Sequence, residues 1–145
     1  MRSEEELNRI AYEIRGAGLA VHRAIGPGCF ESAYVPCLAH ELRKRGLEFE
    51  LEVSLTLRYE SLIIPYAYKA DCIVCGCVLL ECKAIEALAA LHKRQMQTYL
   101  RLSGCPLGLI LNFGALRFFE GIVRQVNNFP QGTAPYAEER PTSPA

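Results

Sequence analysis

Apolar residues recur at steps of three or four along the first part of the chain, which is the spacing of one face of an α-helix. This pattern predicts an amphipathic helix over about residues 4–24. A Ser3-x-x-Glu6 capping box precedes its first apolar position, and a Gly-Pro-Gly turn at 26–28 follows its last one. The capping signals and the hydrophobic period therefore agree on where this helix begins and ends.

A second helix is predicted over about residues 30–45, with Gly46 as its C-cap. Pro36 lies inside it, where the proline ring would clash with the carbonyl group four residues earlier. We therefore expect a kink or a late start of this helix. Its apolar stripe also includes Glu31, three residues before Tyr34, which would bury a carboxylate. The simpler alternative is that Glu31 lies in the first turn, where the helix dipole favours it.

The hydrophobic period changes to two in the middle of the chain, as expected of β-strands. Alternation predicts a strand over about residues 49–59, a turn at 60–61 and a second strand over 62–75. A tight turn at 76–77 then returns the chain into a third strand over 78–84. The middle of the chain is therefore predicted to be a β-meander.

The last part of the chain is predicted to return to helix and then to strand. A helix is expected over about residues 87–103, closed by Gly104, and a final strand around 117–126. Between them, the continuous apolar run 107–113 is typical of a strand covered on both faces. From 127 to 145, four prolines and no apolar periodicity predict a disordered tail.

Length and composition indicate one soluble domain. The chain has 145 residues, of which 50% are hydrophobic, so it can form one core and is too short for two ordinary domains. We predict a single domain over residues 1–126, of the α/β (α+β) class. The net charge is zero, which argues against a protein that coats nucleic acid by bulk charge. Without a signal peptide or a membrane-spanning stretch, a cytoplasmic protein with no membrane partner is expected.

The seven cysteines are interpreted as free thiols. An odd count without a secretion signal argues against a disulfide framework. The spacing Cys72-x-x-Cys75-x-Cys77, followed by Cys82, would suit zinc or an iron–sulfur cluster. Alternation along the strands, however, points Cys72 and Cys82 away from the face of Cys75. We therefore predict buried or semi-buried thiols, which behave as small apolar residues.

Strand alternation also brings two carboxylates and a lysine together. In the second strand, Asp71 points to one face, while Ala70 and Cys72 point to the other. In the returning strand, Glu81 and Lys83 share a face. If the two strands pair as a hairpin, Asp71, Glu81 and Lys83 converge on one patch. Two adjacent carboxylates repel each other unless a cation lies between them, and Mg²⁺ is typically held by one or two carboxylates, water and phosphate.

This arrangement suits the hydrolysis of phosphodiester bonds. A divalent cation lowers the pKa of bound water and neutralises charge in the transition state, and Lys83 could orient the nucleophile or stabilise phosphate oxygens. The alternative is an ordinary surface ion pair between Glu81 and Lys83. The apolar run before Glu81 argues against it, because charges at the end of a core strand are costly without partners. Gln95, on the last helix, could orient water or phosphate, or could be a boundary glutamine bonded to backbone.

Five short motifs lie in order along residues 7–126. They are Gly28-Cys29-Phe30-Glu31-Ser32-Ala33-Tyr34, Tyr68-Lys69-Ala70-Asp71, Glu81-Cys82-Lys83-Ala84, His92-Lys93-Arg94-Gln95 with Thr98-Tyr99-Leu100, and Leu111-Asn112-Phe113-Gly114. Together they resemble the GxxExxY proteins, a branch of the PD-(D/E)XK nuclease superfamily. Ala70 stands where the superfamily's name places proline, which is widely dispensable there.

The resemblance implies a restriction-endonuclease-like core, in which helices flank a mixed β-sheet. It also implies a set of catalytic residues: Glu31, Asp71, Glu81, Lys83 and Gln95. Asp71 and Glu81 would bind Mg²⁺ or Mn²⁺, with the backbone carbonyl of Cys82. Glu31 would add a ligand or hold a water.

The implied function is a metal-dependent nuclease whose partner is nucleic acid, with DNA favoured over RNA. The alternative is a catalytically silent module on the same fold that binds nucleic acid or a protein. Because no implied metal ligand and no lysine is missing, activity is the favoured interpretation. A homodimer would place two sites for double-strand cutting, and the sequence leaves the oligomeric state open.

Overall fold

A computed structural model describes residues 1–130, which form three α-helices, five β-strands and one short 3₁₀ helix. The helices are α1 (Glu4–Ile25), α2 (Glu31–Lys44) and α3 (Ala90–Ser103). The strands are β1 (Phe49–Tyr59), β2 (Leu62–Val74), β3 (Val78–Lys83), β4 (Leu107–Asn112) and β5 (Ile122–Val126). Residues 131–145, which form most of the predicted tail, lie outside the described residues.

Two boundaries in the second half of the chain differ from the prediction. Helix α3 begins at Ala90 rather than near residue 87, because the Nδ1 atom of His92 accepts a hydrogen bond from the Ala89 amide (2.9 Å) and caps the helix there. Strand β5 begins only at Ile122, because residues 118–121 form the 3₁₀ helix. In both places a local turn replaces the end of the predicted element.

The start of α1 agrees with the prediction, whereas the late start expected for α2 is not found. In α1, the Ser3 hydroxyl accepts from the Glu6 amide and the Glu6 carboxylate accepts from the Ser3 amide, so the predicted capping box is confirmed. Helix α2 begins at Glu31 and contains Pro36. The predicted late start of this helix is therefore wrong, and the helix accommodates the proline inside it.

The five strands form one mixed sheet in the order β1-β2-β3-β4-β5. Strands β3 and β4 are parallel and are connected through α3, while all other neighbouring strands are antiparallel. A parallel pair needs such a crossover, whereas antiparallel pairs can be joined by short turns. The predicted α/β (α+β) class, with a mixed sheet flanked by helices, is confirmed.

The sheet separates two apolar layers. Leu7 of α1 and Tyr34 of α2 lie in one core cluster with Leu80, whereas Leu100 of α3 lies in a second cluster with Leu79. Because Leu79 and Leu80 point to opposite faces, β3 is buried on both sides, which accounts for its continuous apolar run. This buried central strand carries Glu81 near its end.

The alternation of side chains along β2 changes sides at Asp71. Cys72 packs in the cluster on the α1–α2 side, whereas Ala70, two residues earlier, packs in the cluster on the α3 side. The predicted shared face of Ala70 and Cys72 is therefore wrong. On β1, Glu52 lies between the partners of these two residues and has a positive φ of 53°. The β1–β2 pair is irregular at Glu52 and Asp71, and this irregularity reverses the face of the sheet to which the following side chains point.

The chain remains in contact with the domain just beyond β5. The Nδ2 atom of Asn127 donates to the carbonyl groups of Leu100 (3.1 Å) and Cys105 (3.4 Å), and Phe129 packs against the core on the α1–α2 side. Within residues 1–130, none of the helices has the length and hydrophobicity that a bilayer-spanning helix requires.

Candidate active site

Asp71 and Glu81 face each other where the ladder between β2 and β3 ends. The last paired residues are Cys72 and Leu80. Beyond this pair, the side-chain carboxylates of Asp71 and Glu81 accept the hydrogen bonds that backbone carbonyl groups accept in a regular ladder. The amide of Asp71 donates to Glu81 Oε1 (3.0 Å), and the amide of Cys82 donates to Asp71 Oδ2 (2.8 Å). The predicted juxtaposition of two carboxylates on neighbouring strands is therefore confirmed.

Burial makes this pair unfavourable as two anions. Glu81 is 8% exposed, and burial first, then the charge of Asp71, raises its pKa to about 8. Burial also raises the pKa of Asp71, against the hydrogen bond from the Cys82 amide and the charge of Lys83. A cation between the two carboxylates would relieve this cost.

The carboxylate oxygens of Asp71 and Glu81 are ligands of the kind that Mg²⁺ and Mn²⁺ prefer. Such ions take oxygen ligands, and protein sites often supply only one or two carboxylates and leave the other positions to water and phosphate. The backbone amides engage Oδ2 of Asp71 and Oε1 of Glu81, so the second oxygen of each carboxylate remains for a cation. Within residues 1–130, no group of three His, Cys, Asp or Glu side chains could hold a metal ion. A cation here would therefore rely on two carboxylates.

Lys83 ends β3 beside the carboxyl pair. It is half-buried, and its positive charge lowers the pKa of both Asp71 and Glu81, which partly offsets the effect of burial. Among the described residues, no direct ion pair joins Lys83 to either carboxylate. The ammonium group of Lys83 is therefore near the pair but forms no ion pair with it. Its positive charge thus remains for a phosphate group.

The backbone around Lys83 is held by the neighbouring strand. Lys83 pairs with Asn112 across β3 and β4, and the amide of Phe113 donates to the Lys83 carbonyl (2.8 Å). The side chain of Asn112 is only 2% exposed, and its Oδ1 accepts from the amides of Ile85 and Gly114 (both 3.1 Å). Its Nδ2 donates to the Ile85 carbonyl (2.9 Å). Asn112 thus fixes the chain on both sides of the loop that follows the lysine.

Glu31 lies in the first turn of α2 and is exposed. The expectation that it occupies a buried stripe is wrong, because the helix begins at this residue and its first buried position is Tyr34. The charge of Glu31 nevertheless raises the pKa of Glu81 and of the Cys82 thiol, in each case after burial and the charge of Asp71. Glu31 therefore belongs to the surroundings of the carboxyl pair, in the turn position that the simpler alternative expected.

Tyr34 connects the start of α2 to the end of β4. Its hydroxyl donates to the Gly26 carbonyl and accepts from the Cys29 amide (3.1 Å), which closes the loop before the helix. Its ring stacks on Phe113, with centroids 4.5 Å apart and planes inclined by 7°. The hydrophobic period identified Tyr34 as an apolar helix position and the motif at 28–34 included it, but neither showed that its hydroxyl closes the loop just before Glu31.

Gln95 is exposed on α3, and its side chain has no hydrogen-bond partner among the described residues. The buried positions of this helix are Met96 and Leu100 instead. Tyr99, one turn after Gln95, lies near the carboxyl pair. Burial raises the pKa of the Tyr99 phenol, and the charges of Glu81 and Asp71 raise it further. Helix α3 therefore faces the candidate site through Tyr99.

Three side chains that affect the site were assigned no role there from the sequence: Glu52, Tyr99 and Asn112. Tyr99 and Asn112 were named only as members of motifs. Glu52 was predicted only as part of the strand over residues 49–59, yet its charge raises the pKa of Asp71. Asn112 was also detectable as a polar residue at the end of a continuous apolar run, because a buried amide must be hydrogen-bonded. Glu52 carries no comparable local signal.

The cysteines contribute no bridge. All seven, which lie between residues 29 and 105, are free thiols, and Cys72, Cys77, Cys82 and Cys105 are buried. Burial raises the pKa of Cys72 to about 12, so this thiol stays protonated and unreactive at neutral pH. The prediction of buried and semi-buried free thiols in the 72–82 segment is confirmed.

Comparison with known proteins identifies the family. No curated protein and no solved structure matches the chain. Among protein-family models, that of the PD-(D/E)XK nuclease superfamily matches residues 8–125. The match runs from α1 into β5 and includes both acidic residues and the lysine of the candidate site. The five-stranded mixed sheet with flanking helices agrees with a restriction-endonuclease-like fold. The chain therefore belongs to the PD-(D/E)XK nuclease superfamily.

Proposed function

We propose that this protein is a Mg²⁺- or Mn²⁺-dependent nuclease that hydrolyses phosphodiester bonds, in DNA rather than RNA. The observation that carries the proposal is the carboxyl pair of buried Glu81 and half-buried Asp71, with the unneutralised Lys83 beside it. Two such carboxyls with raised pKa values are unfavourable without a function, because apolar residues would stabilise the strand ends better. Membership of the superfamily suggests the same chemistry.

The proposed roles follow from the position of each group. Asp71 and Glu81 hold the cation with the backbone carbonyl of Cys82, and Glu31 adds a ligand or holds a water. The bound cation supplies Lewis-acid activation and neutralises phosphate charge. Lys83 binds the non-bridging phosphate oxygens or orients the attacking water. Gln95 orients water or phosphate from α3.

Three further assignments belong to this proposal. The Gly28 to Tyr34 motif supports placement in the GxxExxY branch. The free thiols support a cytoplasmic location, because that compartment keeps cysteines reduced. A homodimer would provide two sites for cutting both strands of a duplex.

The competing function is a catalytically silent module on the same fold that binds nucleic acid or a protein. Two observations favour it: Glu31 is exposed, and two carboxylates rather than three meet at the site within residues 1–130. Both candidate functions predict the same fold. They differ in whether Asp71 and Lys83 are needed for a chemical step.

A nuclease panel separates the two functions. The protein is incubated with single-stranded, double-stranded and branched DNA and RNA in the presence of Mg²⁺ or Mn²⁺. We expect cleavage of at least one substrate, reduced about 100-fold or more in Asp71→Ala and Lys83→Ala proteins. Lys44→Ala is the matched control, because Lys44 lies thirteen residues after Glu31 along α2, about 20 Å away.

Each result has a defined consequence. Cleavage that survives both Asp71→Ala and Lys83→Ala would assign the activity to a contaminant or to another site. No cleavage of any substrate, together with no Mg²⁺ binding, would favour the binding module.

A further inference from the structure

Two tyrosines expose their rings on the strand that leads to the carboxyl pair. Tyr66 is 80% exposed and Tyr68 is 39% exposed. Strand β2 runs from Tyr68 to Asp71 within three residues, about 10 Å of extended chain. Aromatic rings contribute to a core only when they are buried, so these rings contribute little to the fold. Their placement beside the candidate site calls for a ligand.

A bulge in β2 presents the first of these rings. Leu55 of β1 pairs with Tyr68 and Leu57 pairs with Ile64, so one residue of β1 faces three residues of β2, including Tyr66. A bulge bends the strand and re-aims its side chains, and bulges occur often beside active sites. Tyr66 therefore lies within the bulge, on a part of β2 whose residues 62–66 are all exposed.

The rings continue from the hairpin to the carboxyl pair. The ring of Tyr68 lies 5.6 Å from the ring of Tyr99, at an interplanar angle of 49°. Tyr99 is half-buried against the core on the α3 side and is close enough to Glu81 and Asp71 for their charges to raise its pKa after burial has done so. The rings of Tyr68 and Tyr99 thus lead towards the two acids, and Tyr66 lies two residues before Tyr68 on the same strand.

The charges beside these rings suit a phosphate backbone. Residues 62–70 of β2 contain no acidic side chain, and Lys69 is exposed next to Tyr68. Arg58, on the neighbouring strand and opposite Ile63, is exposed as well. Aromatic rings with interspersed positive charge are the combination by which proteins bind single-stranded nucleic acid.

We propose that Tyr66, Tyr68 and Tyr99 form a stacking track that binds unpaired nucleobases and leads a single strand to the carboxyl pair. The inference rests on the proposed nuclease function and specifies its substrate as single-stranded or locally unpaired nucleic acid. In an intact duplex each base is already paired and stacked on its neighbours, so only an unpaired base can lie on a protein ring.

A second copy of the chain is the competing occupant of this hairpin. Its case rests on the exposed aliphatic residues 62–64 at the start of β2. A protein partner would not require the rings to continue towards Asp71 and Glu81, whereas a strand entering the site does. For this reason the tyrosine track is assigned to nucleic acid.

The test measures binding separately from cleavage. Fluorescence anisotropy of a labelled oligothymidine strand, and of a duplex of equal length, is recorded in EDTA so that no metal-dependent cleavage occurs. We expect tighter binding of the single strand, and a Tyr66→Ala/Tyr68→Ala protein should bind it about 30-fold more weakly or worse, because two stacking rings are lost. The salt dependence should stay unchanged, because the substitutions remove no phosphate-binding charge.

Two variants and one measurement control this experiment. Tyr12→Ala removes a tyrosine that is 72% exposed on α1, in the opposite layer, and should bind as the unmodified protein does. Tyr66→Phe/Tyr68→Phe keeps the rings and should retain affinity. Light scattering and circular dichroism report the oligomeric state and the folding of each protein.

The outcomes separate the inference from the proposed function. Unchanged single-strand affinity in the double alanine protein overturns the stacking track, and loss of a dimer in that protein would assign the hairpin to a second copy. Duplex cleavage that the alanine substitutions leave untouched keeps the nuclease and overturns the track. Ring-dependent binding of single strands without any cleavage keeps the track and overturns the nuclease.

Discussion

Asn112 and the backbone of Ile85 form a reciprocal pair of hydrogen bonds, so that a single side chain closes the loop two residues after Lys83. A third hydrogen bond, from the Gly114 amide, fills the remaining capacity of the Asn112 oxygen. The backbone that carries Lys83 is therefore held on one side by the Phe113 amide and two residues later by the Asn112 side chain. Its position depends on a residue that is distant in sequence and takes no part in the chemistry.

Replacement of Asn112 should destabilise the protein and impair the site together. Asn112→Ala leaves the buried amide and carbonyl of Ile85 without partners, and each unsatisfied group costs about 1–3 kcal/mol. Urea unfolding measures the loss in the free energy of unfolding. Asn112→Asp keeps the acceptor for the Ile85 and Gly114 amides and loses only the donor, so its loss should be smaller. Equal stability of Asn112→Ala and the unmodified protein would contradict this account.

The raised pKa of Glu81 predicts an inverse pH dependence of stability in the absence of divalent cations. A carboxyl whose pKa is about 8 in the folded protein and about 4.5 in the unfolded chain binds its proton more tightly when folded. Its stabilising contribution is fully present below about pH 4.5 and is lost as pH rises through about 8. The melting temperature should therefore fall between pH 5 and pH 8.

Glu81→Gln should remove this dependence, because the amide imitates the protonated carboxyl and retains an acceptor for the Asp71 amide. At pH 8 in EDTA we expect the Gln protein to melt roughly 3 °C or more above the unmodified one. At pH 5 the two should melt together. A parallel loss of stability in both proteins as pH rises would assign the effect to other groups.

Mg²⁺ should stabilise the protein at pH 8 through the same pair. At a Mg²⁺ concentration ten times Kd, binding to the folded state adds about 1.4 kcal/mol. Asp71→Asn should abolish this gain, because one charged ligand is lost. Glu50→Gln is a suitable control, since Glu50 is an exposed acid on β1. Calorimetric titration and thermal unfolding measure the effect, and equal Mg²⁺ stabilisation of Asp71→Asn would contradict the assignment of the ligands.

Tyr34→Phe should loosen the loop before α2 while leaving the core packing intact. The ring stack on Phe113 is retained, but the Gly26 carbonyl and the Cys29 amide lose the hydroxyl that joins them. We expect a loss of about 1–2 kcal/mol in urea unfolding. Faster hydrogen exchange of the amides of residues 28–30 should accompany it, and unchanged exchange there would show that the hydroxyl does not hold the loop.

Part of this molecule follows from local pattern alone. The capping box and the period of three to four determined α1, and the continuous apolar runs identified β3 and β4 as buried strands. Two-residue alternation along paired strands was enough to bring Asp71 opposite Glu81. These features depend on neighbours a few residues away, so the sequence carries them directly.

Only the tertiary structure decided which groups surround the carboxyl pair. Strict alternation could not show that the ribbon reverses sides at Asp71, because the reversal depends on a positive φ at Glu52 on another strand. Nor could helical spacing show that Tyr99 of α3 approaches the site. A helix pattern identifies a buried face, but which residue of that face meets which strand depends on packing between segments far apart in the chain.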